Sequence, residues 1–558
     1  MSEKIFIGVA WPYANSPLHL GHIAGAYLPP DIFARYHRTK GNNVLMVSGS
    51  DQHGTPITIR AEQEGKTPAE ISSKYHKQFL ESWHKLGITF DLFTTTGTEN
   101  HTRVAQDIFL TLLEKGFIYK ETVQQAFCAR CQRYLPDRYV EGACPHCRYA
   151  GARGDQCDQC GKPLSPEELV DARCGVCGST PEFKDSEHFF FRLSAFEDKL
   201  LQWVKRQKHW RPNVLNFTSR YLEEGLKDRA ITRDIDWGGP LPPEIARDYP
   251  DKRLYVWFEA VIGYLSASKE WAKNTNDENG WQRFWQGDAK SYYFIGKDNI
   301  PFHTLIWPAM LMGYGGLNLP YDVPSNEYLT IEGRKLSSSR NWAVWLPDYL
   351  SRYDPDPLRY LLSVNMPETG DTDFSWREFV RRNNDELVAT YGNLVQRVLT
   401  FVYRRFDGCV PVPTEIDAYS QELLDKTRKT LVTMDGLLYC CRFKEAIKSA
   451  LALAQEANRY LEEKSPWKMI KENKQAAATA LYVALNIISG LKTAFYPFLP
   501  FSSQKLQRFL GFESCIEDDG WQLREVPPGQ KLLPPEPLFT KLGEEIVAEE
   551  TARLGKQV

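Results

Sequence analysis

The 558-residue sequence predicts an α/β fold: a doubly wound, Rossmann-type parallel sheet, split by a cysteine-rich insertion and followed by an α-helical bundle. Three observations lead there. Apolar runs of strand length alternate with amphipathic helical segments near the N-terminus and again after residue 251, which is the signature of a parallel sheet. Eight of the twelve cysteines fall between Cys128 and Cys177, as four Cys-x-x-Cys pairs, and interrupt that alternation. Beyond Asp354 the apolar spacing becomes helical and stays so to about residue 510.

Taken in order, residues 4–10 read as a buried strand. A turn through Pro12, Asn15 and Pro17 leads into a helix over Leu20–His37. Asn42–Ser48 is a second apolar strand, ending in Gly49-Ser50-Asp51-Gln52-His53-Gly54. Residues 68–86 and 101–115 have the period of amphipathic helices. Residues 117–185 are rich in Cys, Gly, Pro and Arg, with little helical period. The α/β pattern returns at Arg253–Trp271 and Tyr292–Gly315, so the sheet is split around the cysteines. The tail carries Pro-Pro-Gly (527–529) and Pro-Pro-Glu-Pro (534–537), then a short charged helix. The division is 1–116 and 251–325 for the two sheet halves, and 117–250 for the insertion, with its knuckles at about 125–180. A linking region covers 326–382, the helical domain 383–535 and a C-terminal peptide 536–558.

Composition narrows the function classes. With 68 Lys and Arg against 71 Asp and Glu, the net charge is −3, so gross basicity does not drive nucleic-acid binding, although a local basic face is compatible. The N-terminus has no basic region with a small-residue cleavage site. No apolar run is read as long enough to span a bilayer. The expectation is a soluble, cytoplasmic protein with no membrane partner.

Two motifs carry anion chemistry. His19-Leu20-Gly21-His22 falls where the first strand ends and its helix begins. Backbone N–H groups point outward there, the helix dipole favours anions, and Gly21 lets a nucleotide approach. Glu332-Gly333-Arg334-Lys335-Leu336-Ser337-Ser338-Ser339-Arg340 is a small-residue basic loop able to close on a triphosphate. The Cys-x-x-Cys pairs supply thiolates for two closed tetrahedral zinc sites of structural type, in a segment without a core of its own. Spacing alone leaves the pairing open. Further on, Asn393 and Arg397 lie four apart on one helical face, and Trp467 follows Pro466 at a helix start.

Pro12–His22 and Lys335–Ser339 together resemble the two signatures of class I aminoacyl-tRNA synthetases, placed on opposite sides of an insertion as that family requires. Within the class, nearly the whole chain resembles the methionyl-tRNA synthetase family: Ala10-Trp11-Pro12-Tyr13-Ala14-Asn15, Ser50–Pro56, Tyr255–Ala260 with Gly263-Tyr264, and Phe294–Asp298 with Phe302-His303.

The resemblance implies methionine activation by ATP, with magnesium, and transfer to tRNA(Met), initiator included. It implies catalytic roles for His19, His22 and Lys335. It implies ATP contacts from Tyr13, His19, Gly21, His22, Gly296, Asp298, Leu329, Lys335 and Ser338. The methionine pocket would comprise Ala10, Trp11, Tyr13, Asp51 (on the ammonium), Trp257, Ala260, Tyr264, Asn299 and His303. Aromatic surface suits a polarizable thioether, and the Tyr264 hydroxyl is expected to donate to it. One zinc would be held by Cys144, Cys147, Cys157 and Cys160, and a second by Cys128, Cys131, Cys174 and Cys177; many relatives keep only the first set. Asn393, Arg397 and Trp467 would read the anticodon. The chain stops soon after the helical half, which favours a monomer.

Two positions depart from the family pattern. Ser338 stands where a second lysine is usual, so Lys335 shares its work with Arg334, Arg340 or a metal ion. Val261 stands where proline is frequent. The rival readings are a class I synthetase for leucine, isoleucine or valine, which usually carries a large editing domain, and a non-catalytic zinc protein that binds RNA.

Overall fold

The computed structural model describes residues 2–154, 157, 159–160, 164–338 and 340–556. Ser339, the last residue of the second signature, and the final two residues of the C-terminal peptide lie outside the described residues. The chain forms β1 (Lys4–Val9), β2 (Asn43–Ser50), β3 (Leu92–Thr95), β4 (Ile118–Cys128), β5 (Glu182–Phe191), β6 (Lys290–Gly296) and β7 (Ser325–Asn326), with further short strands and many helices between and after them. The expected split sheet is present. Its order is β7-β6-β1-β2-β3 with every pairing parallel, so β6, from beyond the insertion, lies directly against β1.

Both faces of this sheet are covered, which is why its strands read as continuous apolar runs. Ile5, Ile7, Val9 and Met46 enter one core, and Phe6, Leu45, Val47 and Tyr293 enter the other. The connections leave β1 toward β2 on one side while β6 returns on the other. Between them opens the crevice, at the carboxyl ends of the strands, where such sheets bind ligands.

The helix after β1 runs from Leu20 to Thr39 but is not uniform. One π-helical turn spans Ile23–Tyr27, closed by the Leu28 N–H to the Ile23 carbonyl, and a matching π-helical turn at Phe302–Ile306 follows β6. Insertions of this kind gather at functional sites, and these two flank the crevice.

The insertion differs from its sequence reading. Where the sequence shows little helical period and no strands were read, β4 and β5 pair antiparallel from Ile118↔Phe191 to Phe127↔Glu182. Only three of the eleven β4 residues are buried, so the two-residue apolar alternation that marks a strand is nearly absent.

In the helical half, Ala418–Tyr439, Phe443–Lys464 and Lys474–Phe495 pack together. The last corrects an expectation. It is 22 residues long with a mean hydropathy of 1.3, so it is long and apolar enough to cross a membrane, yet 94% of that apolar window is buried. It is the core helix of the bundle, apolar all round because it is surrounded. The two halves are joined by Arg359, fully buried, which bonds Asp31 beneath the first signature and the carbonyls of Pro497 and Phe498.

Candidate active site

A cavity of 450 Å³ occupies the crevice. At one end it is lined by His19, Gly21, His22, Gly296, Asp298, Leu329 and Lys335. At the other it is lined by Ala10, Trp11, Tyr13, Asp51, Trp257, Ala260, Tyr264, Asn299 and His303. The structure thus brings together all the residues singled out for ATP and methionine except Ser338, which is exposed and does not line the cavity.

At the end lined by His19 and Lys335, backbone hydrogen bonds tie the first signature to the segment just after the second. The Leu20 N–H donates to the Val344 carbonyl at 3.1 Å, and the Leu346 N–H donates to the Leu18 carbonyl at 2.8 Å. A Cβ at Gly21 would lie 2.5 Å from Leu336 Cδ1, so the glycine makes room for the leucine of the second signature. The His19 and His22 rings stack at 3.7 Å. The His19 backbone N–H donates to His22 Nδ1 at 3.2 Å, which leaves the His22 proton on Nε2. Burial holds His22 at about 4 and His19 well below the usual imidazole range. Both are therefore neutral at pH 7, donors of hydrogen bonds rather than carriers of charge.

Charge comes from Lys335, exposed on the short strand Arg334–Lys335. Arg334 does not share its task in this conformation, because its guanidinium stacks on Trp342 at 4.7 Å. Sequence reading missed Tyr328, which lines the cavity. Its hydroxyl donates to Asp298 Oδ1 at 2.5 Å, and Lys335 sits 5.5 Å over its ring. An aromatic residue just before a signature strand was its only trace.

At the other end, Asp51 is pinned by the turn it faces. Its N–H donates to the Pro12 carbonyl at 2.8 Å, and its carbonyl accepts from the Ala14 N–H at 2.9 Å. Burial, then the nearby Glu259, pushes its carboxyl well above the usual range. Trp257 forms the outer lip, 38% exposed, with its indole N–H donating to the Tyr13 hydroxyl at 3.0 Å. Trp11 fills the space left by Gly49 and Gly263, where any Cβ would strike its ring.

The expected Tyr264 bond to the thioether is not available in this state. His303 Nδ1 lies 2.9 Å from the Asn299 carbonyl, which only a donor can satisfy, so Nε2 is an acceptor. The Tyr264 hydroxyl, 2.8 Å from Nε2, therefore donates to His303. Burial holds His303 at about 4, so the ring stays neutral and the bond persists at pH 7. Tyr264 offers the cavity its ring and a hydroxyl lone pair.

The eight clustered cysteines fall into two sets: Cys128, Cys131, Cys174 and Cys177, and Cys144, Cys147, Cys157 and Cys160, each with sulfurs within 4.8 Å of one another. This is the nested grouping that the family resemblance implies. Sulfurs 2.3 Å from a tetrahedral zinc lie about 3.8 Å apart. Here Cys131–Cys174 and Cys144–Cys160 are both 3.9 Å apart, far beyond a disulfide. The donor sets fit zinc.

On the helical domain, Arg397 stacks its guanidinium 4.2 Å over the Trp467 ring, which rests edge-on against Phe401. Asn393, exposed, lies one turn before Arg397 on the same helix. The three form one polar-aromatic face, on a surface remote in sequence from the cavity.

Comparison with known proteins agrees with this architecture. Residues 5–399 match the family described as tRNA synthetases class I (M), and residues 410–557 match the anticodon binding domain of methionyl tRNA ligase. The methionine--tRNA ligase of Dehalococcoides mccartyi (strain CBDB1) is 67% identical over 555 residues, 100% of both chains. That of Thermomicrobium roseum is 53% identical over 99% of both. Among solved structures, Mycobacterium tuberculosis methionyl-tRNA synthetase bound by methionyl-adenylate superposes with a TM-score of 0.80 at 26% identity, over 96% of this chain and 100% of that one. With both signatures meeting at one crevice and both halves of the chain matched, the chain belongs to the methionyl-tRNA synthetase family of class I synthetases.

Proposed function

We propose that the chain joins methionine to ATP, releasing pyrophosphate, and passes the methionyl group to the 3′-terminal adenosine of tRNA(Met), initiator tRNA included, acting as a cytoplasmic monomer. The observation that supports this reading is a cavity with the buried Asp51 carboxyl at one end and residues of both signatures, His19, Gly21, His22 and Lys335, at the other.

The methionine carboxylate is already ionised and needs no base. Its oxygen attacks the α-phosphorus, an O–P bond forms, and the bond to the β-phosphate oxygen breaks. Catalysis is then positioning and charge stabilisation. His19 and His22 offer neutral N–H donors from a helix N-terminus, and Lys335 offers the positive charge. Magnesium bound with the triphosphate would add charge neutralisation at the phosphates. Asp51 pairs with the α-ammonium. The aromatic walls of Tyr13, Trp257 and Tyr264 favour a thioether over a branched aliphatic chain, and Asp298 accepts from the ribose hydroxyls. Asn393, Arg397 and Trp467 read the anticodon by base-edge bonds and stacking. The two cysteine sets hold structural zinc.

The test is ATP–pyrophosphate exchange with methionine, leucine, isoleucine and valine in turn, together with metal analysis. We expect exchange dependent on methionine and two zinc ions per chain. Exchange with leucine but not methionine sinks the substrate assignment, and exchange with none favours an RNA-binding protein.

A further inference from the structure

We propose that Glu259, clamped between His53 and His101, is a positioning residue for the substrate ammonium: it engages the His53 imidazolium so that the Asp51 carboxylate is left for methionine. This rests on the reading of Asp51 as the ammonium partner.

Glu259 lies in the first turn of the helix Val256–Asn274, with a side chain 2% exposed. Its Oε1 is 2.8 Å from His53 Nδ1 and 3.3 Å from His101 Nε2. His101 is held in turn by Ser266, 2.8 Å from Nδ1. Gly239 roofs the carboxylate, where a Cβ would come within 2.6 Å. A carboxylate this deep stays ionised only beside a cation. His53, with Nδ1 2.8 Å from Oε1, is the group placed to be that cation, and Glu259 raises its pKa although burial pulls the other way.

Asp51 touches the same residue differently. Its Oδ1 accepts the His53 backbone N–H at 3.0 Å, and among the described residues no cation pairs with its carboxylate. Two carboxylates thus flank one imidazolium, and the geometry gives the imidazolium to Glu259. Asp51 is left buried, unpaired and open to the cavity, poised to gain its charge when an ammonium arrives. The other groups facing the set are Tyr13 from the turn after β1, Thr96 from the loop after β3, and the Trp237 ring against His53. None of these changes charge near neutrality.

Glu259→Gln keeps the reach and the acceptor but removes the charge. The His53 imidazolium then has no anion but Asp51 to turn to, and there it competes with the substrate. The measurement compares two ligands: methionine, and 4-(methylthio)butanoate, which lacks the ammonium. In Glu259→Gln we expect methionine to bind about tenfold more weakly or worse, with 4-(methylthio)butanoate and ATP unchanged, and kcat for exchange near wild type at saturating methionine. Glu259→Asp, which keeps the charge, should fall between. Equal weakening of both ligands, or of neither, overturns the proposal. If Glu259→Gln does not fold, Glu259→Asp carries the comparison: the shorter side chain loosens its hold on His53, so methionine should weaken severalfold with 4-(methylthio)butanoate unchanged, and equal weakening of both ligands, or of neither, overturns the proposal. Asp51→Asn is the separate control: unchanged methionine affinity there overturns the ammonium reading itself, whatever Glu259→Gln does.

Discussion

Around the crevice, the candidate side chains hang from strands whose two faces are packed with apolar residues, and backbone hydrogen bonds fix the turns between them. In the insertion, by contrast, eleven described residues make up the small buried cluster, and four of them are cysteines. One region is ordered by its core and spends its polar groups on a site. The other brings eight thiols together in place of a core. Side chains should therefore be separable from folding in the first region and inseparable from it in the second.

The largest effect should follow from breaking the second region. Structural zinc in small domains is worth about 10–16 kcal/mol of binding that doubles as folding energy. Chelation should therefore abolish amide protection across Val140–Ala143 and Val170–Cys174, while β1, β2 and β6 keep theirs. Cys144→Ser should lose one zinc of two and leave Cys128, Cys131, Cys174 and Cys177 loaded. Hydrogen exchange with metal analysis checks this; loss of protection in the parallel sheet would show that the regions are not separable.

In the first region, Asp51→Ala should leave the fold intact and cripple the site. Removing one partner of a buried charge pair costs about 3–5 kcal/mol, so kcat/KM for methionine in exchange should fall by roughly a hundredfold to a few thousandfold. ATP affinity and the unfolding midpoint should stay near wild type. Near-normal exchange in this variant would refute the ammonium role.

How much of this contrast was legible in the sequence follows from the same physics. The split sheet was visible because both of its faces are buried, so its strands are uninterrupted apolar runs. The cavity residues were visible because the signatures must place fixed groups at fixed turns. The β4–β5 pair was not, because its faces are largely solvated and carry almost no apolar alternation. The direction of the Tyr264 proton was not, because it depends on the Asn299 carbonyl, in the turn after β6, meeting the His303 ring four residues on. Nor was the neutrality of His19 and His22, which comes from burial beneath a loop more than 300 residues away.

Acid probes the first region more gently. His303, held at about 4, and His37, held at about 3, are buried and neutral, whereas both take a proton near 6.5 when unfolded. The unfolded chain thus binds more protons, and stability must fall as pH falls. The contribution of His303 is whole above about pH 6.5 and is lost progressively down to about 4, on the order of 3 kcal/mol. Urea unfolding at pH 7.5, 6 and 5 should show this decline. In His303→Gln the slope should shrink, and an unchanged slope would mean that His303 titrates normally.

The smallest effect asks whether the separation of function from folding extends to the helical half. Trp467 is only half-buried, and its ring carries Arg397 on one face, so little of the bundle depends on it. Stacking of an unpaired base on such a ring is worth about 1–3 kcal/mol. Trp467→Ala should therefore lower kcat/KM for tRNA charging by roughly ten- to a hundredfold while exchange and thermal unfolding stay unchanged, and Trp467→Phe should recover most of the loss. The cavity lies far along the chain and uses no residue of this helix, so equal loss of exchange and charging would mean that Trp467 is a structural residue. The helical half would then resemble the zinc insertion rather than the crevice, with its recognition face and its fold sharing the same side chains.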